Sequence, residues 1–394
     1  MTVPFLPYAR QSIDDTDIAA VTAALRSDYL TTGPMVEVFE RAFSLATGAG
    51  HSVACNSGTA ALHLAVLALD LAPGDAVIVP TITFLATANV VRMAGAEVVF
   101  ADVDSDSGLM TPATLAAAIE SASRRNLNLR AAIPVHLNGQ LCQMPALHEL
   151  ATLHGIDLIE DACHALGVPD VGATVYSRLA CFSMHPVKAI TTVEGGAVTT
   201  RDAAIAARIG RLRSHGMVRT PADFEDRALS FDGDRPNPWS YEMQEIGWNY
   251  RLPDVQCALG VSQLAKLDLL IERRSMIAKR YDAAFAGSDL ALQPAARRPE
   301  SHGWHLYVVL IDFAGLGRTR GSVMESLRAQ GIGSQVHYLP VHRQPYYRRR
   351  YGVQPLPGAD AYYARCLSIP LFPAMTDGDV DRVIAALSVE CGIG

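Results

Sequence analysis

Nothing in these 394 residues pairs cysteines. The seven stand at 55, 142, 163, 181, 257, 366 and 391, an odd number with no CxxC spacing. That excludes a zinc ribbon or a disulfide framework, leaves no metal site to expect, and fits a reducing compartment. Excess positive charge is missing too: 33 Lys and Arg stand against 40 Asp and Glu, for a net charge of −7. No global field therefore recruits nucleic acid, and clusters as short as Arg124-Arg125 or Arg348 to Arg350 read as solvated faces. Long apolar runs are absent as well. LHLAVLALDLA is broken by Asp and His well short of a membrane span. The opening MTVPFLPYARQSIDD has no basic stretch leading into an apolar one, so no signal peptide is expected and the cytoplasm is the expected location. GxxxxGK[ST] and strand-linked GxGxxG loops do not occur, nor do repeats or low-complexity segments.

What is present is a chain 49% hydrophobic and 19% charged, long enough for two domains and patterned as an α/β protein. From about residue 50 to 200, short apolar runs alternate with Ala-rich helical patterns. SVACN, AVIVP, EVVFADVD, AAIPVHL and IDLIEDA read as strands. TAALHLAVLALDL, the stretch from Leu85 to Gly95, TPATLAAAIESAS and PALHELATLHG read as helices. The strands are apolar throughout rather than alternating, which predicts a mostly parallel sheet with helices on both faces. In such sheets functional groups gather beyond the carboxyl ends of the strands. Residues 216 to 248 lose the rhythm and carry Pro, Asp, Trp and Tyr, a long excursion. A long helical pattern beginning LPDVQCALG follows, with a break near Leu267. WHLYVVLID and SQVHYLP as strands, with VMESLRAQG and DVDRVIAAL as helices, predict a smaller α+β domain.

Three segments carry chemistry. In CNSGTAALHLA a strand runs through Asn-Ser-Gly-Thr into a helix, whose first amides and dipole suit an anion, with Ser57 and Thr59 adding hydroxyls. Simple N-capping explains the same residues. In IDLIEDACHALG, Asp161 stands at a strand end with His164 three residues on. Such an acid can hold a protonated ring nitrogen, or it can cap a helix over a packed histidine. Lys188 lies in CFSMHPVKAITTVEGG among apolar and hydroxyl residues, before a Gly-Gly turn. A lysine kept neutral by such surroundings becomes a nucleophile, although a lone lysine is ordinarily a surface residue. An anion cup, a strand-end acid and a lysine together suit a phosphate-bearing aldehyde cofactor.

Taken in order, NSGTAALHLA, PTITFLATANVV, EDACHALG, FSMHPVK, LRSHGM and NYRLPDVQCALGVSQL resemble the DegT/DnrJ/EryC1/StrS family of sugar-nucleotide aminotransferases over nearly the whole chain. The resemblance implies a PLP-dependent transferase of fold type I. Residues 1–262 would form an N-terminal arm and the large cofactor-binding domain, and 263–394 a long connecting helix and the small C-terminal domain. It implies a Schiff base between pyridoxal 5'-phosphate and Lys188, with pyridoxamine 5'-phosphate as the alternate form. Asp161 would pair with the pyridinium nitrogen and His164 would meet the ring hydroxyl. Phe84 would stack on the ring, though an ordinary core position fits it equally. Gly58, Thr59, Ala60 and Ser183 would cradle the phosphate. Asn249 would reach that phosphate across a homodimer interface; taken alone it suits a loop or cap.

Within the family, FLPYARQSIDD, LRSDYLTTGP, GIGSQVHYLPVHRQPYY and AYYARCLSIPLFP resemble the branch that makes UDP-4-amino-4,6-dideoxy-N-acetyl-β-L-altrosamine for pseudaminic acid biosynthesis. That implies a UDP-linked 4-keto-6-deoxy sugar near Tyr8, Asp28, Tyr29, Leu30, Thr31, His185, Val336, His337, Tyr338 and Leu339, with L-glutamate as amino donor. Arg213, Arg219 and Arg251 are candidates for the donor's carboxylate. Two departures from the family pattern bear on substrate fit: Arg178-Leu179 in a short VPDVGATVYSRLAC segment, and Met184 where Phe is commoner. Rival readings are amination at C3 or of another nucleotide sugar, and a non-catalytic cofactor-binding regulator. A dehydratase of the same fold would replace Lys188 by histidine.

Overall fold

A computed structural model describes residues 4–286, 288 and 302–392. Seven strands build its central sheet: β1 (His51–Cys55), β2 (Asp75–Pro80), β3 (Glu97–Ala101), β4 (Asn128–Ala132), β5 (Asp157–Asp161), β6 (Leu179–Ser183) and β7 (Gly196–Thr200). They lie in the order β1-β7-β6-β5-β4-β2-β3. Pairing is parallel except where β7 runs against both of its neighbours. Every residue of β2 and β7 is buried, which is why these strands are apolar throughout: helices cover both faces.

Those helices are α1 (Asp15–Leu25), α2 (Pro34–Thr47), α3 (Gly58–Leu67), α4 (Leu85–Met93), α5 (Pro112–Arg124), α6 (Met144–Leu153) and α7 (Ala203–Leu212). Successive strand residues point to opposite faces. Val53 and Cys55 of β1 pack with α3, α4 and α7, while Ala54 between them joins Phe39 and Phe43 of α2. Boundaries follow local chemistry. Pro112 occupies the first turn of α5 behind the Thr111 capping box, and left-handed Gly48 closes α2.

The excursion from 216 to 248 holds two small ribbons and a single turn of helix: β8 (Met217–Val218) pairs with β11 (Glu242–Met243), and α8 (Arg227–Ser230) leads into β9 (Phe231–Asp232), which pairs with β10 (Arg235–Pro236). The long helical pattern splits into α9 (Asp254–Leu264) and α10 (Leu267–Phe285). At the break, Lys266 leaves helical geometry and its ammonium meets Asp14 at 2.8 Å and the buried Asp17 at 2.7 Å, tying α9 to α1.

Beyond α10, β12 (Tyr307–Leu310) pairs antiparallel with β13 (Cys366–Ile369). Around this ribbon are α11 (Arg320–Ala329), α13 (Pro357–Arg365) and α14 (Asp377–Cys391), while α12 (Pro345–Tyr351) lies against β3, where the Tyr351 hydroxyl accepts the Val98 N–H at 2.9 Å. α10, α11 and α14 enclose an apolar core with the ribbon, and Leu6 joins it from the N-terminus, bonding through its N–H to the Gly331 carbonyl.

Two expected strands are corrected. AAIPVHL is not one strand: β4 ends at Ala132, Pro134 has no N–H for a ladder, and a 3-10 turn covers Leu137–Gly139 with Asn138 left-handed at φ 64°. SQVHYLP forms no strand: its backbone meets β13 at the isolated Gln335–Ser368 bridge, its His337 Nδ1 lies 2.7 Å from Ser368 Oγ, and its Tyr338 hydroxyl turns to His164 instead. Among the described residues no helix is long and apolar enough to cross a membrane, and no cluster of His, Cys, Asp and Glu could hold a metal ion.

Candidate active site

β1 and β6 both run antiparallel to β7, hence parallel to one another and to β5, so Cys55, Asp161 and Ser183 end at the same edge of the sheet. Lys188 follows β6 on a turn closed by its N–H on the His185 carbonyl at 2.8 Å. The side chain is half-buried. Burial pushes its pKa below the ordinary value, while the Cys163 and Asp161 charges pull the other way. A depressed ammonium supplies the free amine that nucleophilic attack on an aldehyde needs.

Asp161 is buried at the end of β5. Its Oδ2 accepts the Thr87 hydroxyl at 2.8 Å and its Oδ1 the Cys163 N–H at 3.2 Å. Because Thr87 donates to the carboxylate, the Thr83 hydroxyl 2.8 Å away must donate to Thr87. The carboxylate is thereby held in one orientation. Thr87 escaped the sequence reading, although the two threonines stand four apart in TITFLATAN, a spacing that brings side chains together at a helix start.

His164 is oriented from the backbone. The N–H of Asn138 donates to Nδ1 at 3.2 Å, which puts the proton of the neutral ring on Nε2, 3.2 Å from the Tyr338 hydroxyl. Burial, reinforced by Lys188 and His337, holds this ring well below the ordinary imidazole pKa. His305 lies 4.2 Å from His164 between ring centres, and its buried Nδ1 has no hydrogen-bond partner among the described residues. Burial and then Lys188 push His337 down to about 3. Three neutral imidazoles thus surround the amine. Asn138 and His305 carried no signal in the sequence, because their roles depend on a turn and on the C-terminal lobe.

At the N-terminus of α3, Ser57 Oγ accepts the Ala60 N–H at 3.1 Å. Capping and anion binding coexist here: Ala60 gives its amide to the cap, while Gly58 and Thr59 amides have no acceptor within the helix. A Cβ on Gly58 would lie 2.7 Å from the Cβ of Ser183, so only glycine lets the end of β6 approach this helix and set its hydroxyl beside the amides.

Phe84 is 57% exposed, not a core residue, and its ring lies 6.2 Å from that of Tyr338. Tyr8 packs 5.4 Å from His337, which lies in the same segment as half-buried Val336 and exposed Leu339. His185 is exposed on the lysine turn. Other expected residues are not brought in by this chain alone. Asp28, Tyr29, Leu30 and Thr31 form an exposed segment with no hydrogen bond to Lys188, Asp161 or His164 among the described residues. Asn249 is exposed; its carbonyl accepts from Asn56 at 3.4 Å. Arg213 is committed to Glu40 and the Ala54 carbonyl, whereas Arg219 is exposed and Arg251 lines a crevice beside Thr32. The family departures lie off the cup: Arg178 pairs with Asp157 at the opposite end of β5, at 2.7 Å, and Met184 is fully buried.

A larger cavity of about 750 Å³ lies elsewhere, lined by His136, Gln140 and Glu160. Glu160 precedes Asp161 in β5 and so faces the other side of the sheet. The strand-end cup brings an amine, a carboxylate and free helix amides to one edge of the sheet, the groups that an aldehyde bearing a phosphate and a basic ring calls for.

The sequence pattern of the DegT/DnrJ/EryC1/StrS aminotransferase family matches residues 11–388. Helicobacter pylori PseC, an aminotransferase involved in the biosynthesis of pseudoaminic acid, superposes with TM-score 0.87 at 28% identity, covering 98% of this chain and 99% of its own. The putative sugar aminotransferase Spr1654 from Streptococcus pneumoniae, in its PMP form, gives TM-score 0.86 at 28% identity over 99% of both chains. DesV of S. venezuelae is 31% identical over 98% of both chains, with TM-score 0.83. The fold is that of fold type I transferases, and the chain belongs to the DegT/DnrJ/EryC1/StrS aminotransferase family, as an enzyme of the transaminase class.

Proposed function

We propose that this aminotransferase moves an amino group from L-glutamate to C4 of a UDP-linked 4-keto-6-deoxy-N-acetyl-hexosamine. The products are UDP-4-amino-4,6-dideoxy-N-acetyl-β-L-altrosamine and 2-oxoglutarate. The observation that carries the transamination is the depressed Lys188 amine beside a buried, oriented Asp161 and the open amides of α3. For the sugar, the support is the end-to-end likeness to PseC.

Pyridoxal phosphate is the cofactor and pyridoxamine phosphate its aminated form; when bound, it withdraws the electron pair left as a C–H bond beside nitrogen gives up its proton. Asp161, fixed by Thr87, keeps the proton on the ring nitrogen. The amides of Gly58 and Thr59 and the Ser183 hydroxyl hold the phosphate, with Ala60 completing the first helical turn. Phe84 would cover the ring, and His164, whose Nε2–H meets the Tyr338 hydroxyl, would lie beside the ring hydroxyl. With the cofactor bound, the free Lys188 Nζ would serve as the base for the donor's α-proton and as the acid that returns it on the far side of the transferred nitrogen. With the keto sugar, Nζ moves the proton in reverse. Tyr8, Asp28 to Thr31, His185 and Val336 to Leu339 frame the sugar nucleotide. Asn249 acts on the partner's phosphate in a homodimer.

Incubation with L-glutamate and a panel of 3-keto and 4-keto nucleotide sugars, followed by NMR location of the new C–N bond, tests the assignment. An amine at C4 of the UDP-linked 4-keto sugar is expected. Amination only at C3, or only of another nucleotide sugar, refutes the substrate.

A further inference from the structure

The most deeply buried cation near Lys188 has no role in the chemistry above. Arg274, in α10, is 1% exposed, and no carboxylate pairs with it among the described residues. An unpaired charge in such a place is costly unless dipoles solvate it. Here carbonyl oxygens do so. Nη1 donates to Trp304, His305 and Leu371 at 3.4, 3.2 and 3.0 Å, and Nη2 donates to the carbonyl of Lys188 itself at 3.3 Å. Burial lowers its pKa to about 10, so it stays charged at neutral pH.

These acceptors belong to three separate stretches: the turn carrying Lys188, the chain entering β12, and the chain leaving β13. The rest of the lysine turn is held by its own neighbours, as in Lys188 N–H to the His185 carbonyl at 2.8 Å, and by α9, where Gln263 Oε1 accepts the Thr191 N–H at 3.3 Å and Gln256 Nε2 donates to the Thr192 carbonyl at 2.9 Å. Arg274 alone links the main chain of Lys188 to the C-terminal lobe among the described residues.

We propose that Arg274 is a positioning residue for the amine: its planar fork pins the Lys188 carbonyl against the C-terminal lobe and so sets the arc through which Nζ swings between cofactor and substrate. The inference rests on the reading of Lys188 as the Schiff-base lysine. A lysine at 274 has a single ammonium with tetrahedral donors and cannot span carbonyls on three stretches as the flat guanidinium does. Displacement of a reacting group by about 1 Å costs on the order of 100-fold in rate.

The test uses the holoenzyme with Arg274→Lys and Arg274→Met. Expected for both are wild-type cofactor stoichiometry, an altered visible circular dichroism band of the bound cofactor, and faster amide exchange in residues 185–192. The rate of the half-reaction with L-glutamate falls about 100-fold at unchanged KM. Guanidinium ion added to Arg274→Ala restores part of the dichroism and the rate. If Arg274→Met fails to fold, Arg274→Lys decides. Wild-type dichroism, exchange and rate in Arg274→Lys overturn the proposal, and so does a rate loss with the dichroism and local exchange unchanged. A separate control isolates the underlying reading: if borohydride still fixes the cofactor to Lys188→Ala, the Schiff-base assignment itself is wrong, whatever Arg274 does.

Discussion

A single amine divides the residue-scale claims into those that act on its nitrogen and those that hold its surroundings. Lys188→Ala should lower transamination by about 10²–10⁴-fold, the share ordinarily carried by a positioned acid–base group, and borohydride should no longer fix the cofactor to the chain. Thr87 is a subtler case. Its hydroxyl donates to Asp161, a bond to a charged acceptor worth about 1.5–3 kcal/mol. Thr87→Val should therefore weaken cofactor binding by roughly 10- to 100-fold while the fold persists, as read from a fluorescence titration of the cofactor-free protein. Asp161 and Lys188 were legible in the sequence because an acid at a buried strand end and a lysine in an apolar stretch are unusual. Thr87 and Asn138 were not: each acts by a single hydrogen bond whose partner lies 74 or 26 residues away.

At the scale of elements, polar staples join helices that the apolar pattern leaves free to slide. Asp17 of α1 is fully buried and receives Lys266, the Ser262 hydroxyl and the Gln263 amide, all at the end of α9. Asp17→Ala leaves Lys266 with Asp14 as its one remaining carboxylate among the described residues and removes the acceptor of the Ser262 hydroxyl and the Gln263 amide, and should cost about 1–3 kcal/mol in urea unfolding. A second staple joins α12 to the edge strand β3 through Glu97. Burial raises the Glu97 pKa, but hydrogen bonds from Arg350 and Tyr351 and the charge of Arg92 outweigh it and bring the carboxyl down to about 2. A carboxylate depressed on folding contributes stability that is complete above its unfolded pKa of 4.5 and lost as pH falls through about 2. Glu97→Gln should flatten the fall in melting temperature over that acid window and leave neutral-pH protein with a constant deficit. β1, β2, β3 and β5 and the helices α3 to α6 could be read from apolar runs and helical spacing, whereas the run at β4 reads too long and β6 and β7 do not read as strands. SQVHYLP could not be read that way, since its residues alternate like a strand while their side chains are committed to Ser368, Tyr8 and His164.

For the whole molecule, the proposed shared site makes a sharp prediction. Neither Lys188→Ala nor Asn249→Ala homodimers should turn over at the wild-type rate. Mixed after dissociation and reassociation, they should recover about a quarter of wild-type activity, because half the dimers are mixed and each has one intact site. No recovery would place Asn249 in its own subunit's site, and an Asn249→Ala homodimer with wild-type turnover would place it outside the site. The chemical inventory and the layered sheet were written along the chain: apolar runs of strand length need cover on both faces, and a strand leading through Asn-Ser-Gly-Thr into a helix leaves amides open wherever it folds. Which groups meet was settled only by long-range packing. Lys188, Arg274 and His305 are separated by 86 and 31 residues, and their neighbourhood arises where α10 and the C-terminal ribbon close over the sheet edge. Local pattern carries no record of such a meeting, because it is decided by which surfaces bury one another and not by spacing along the backbone.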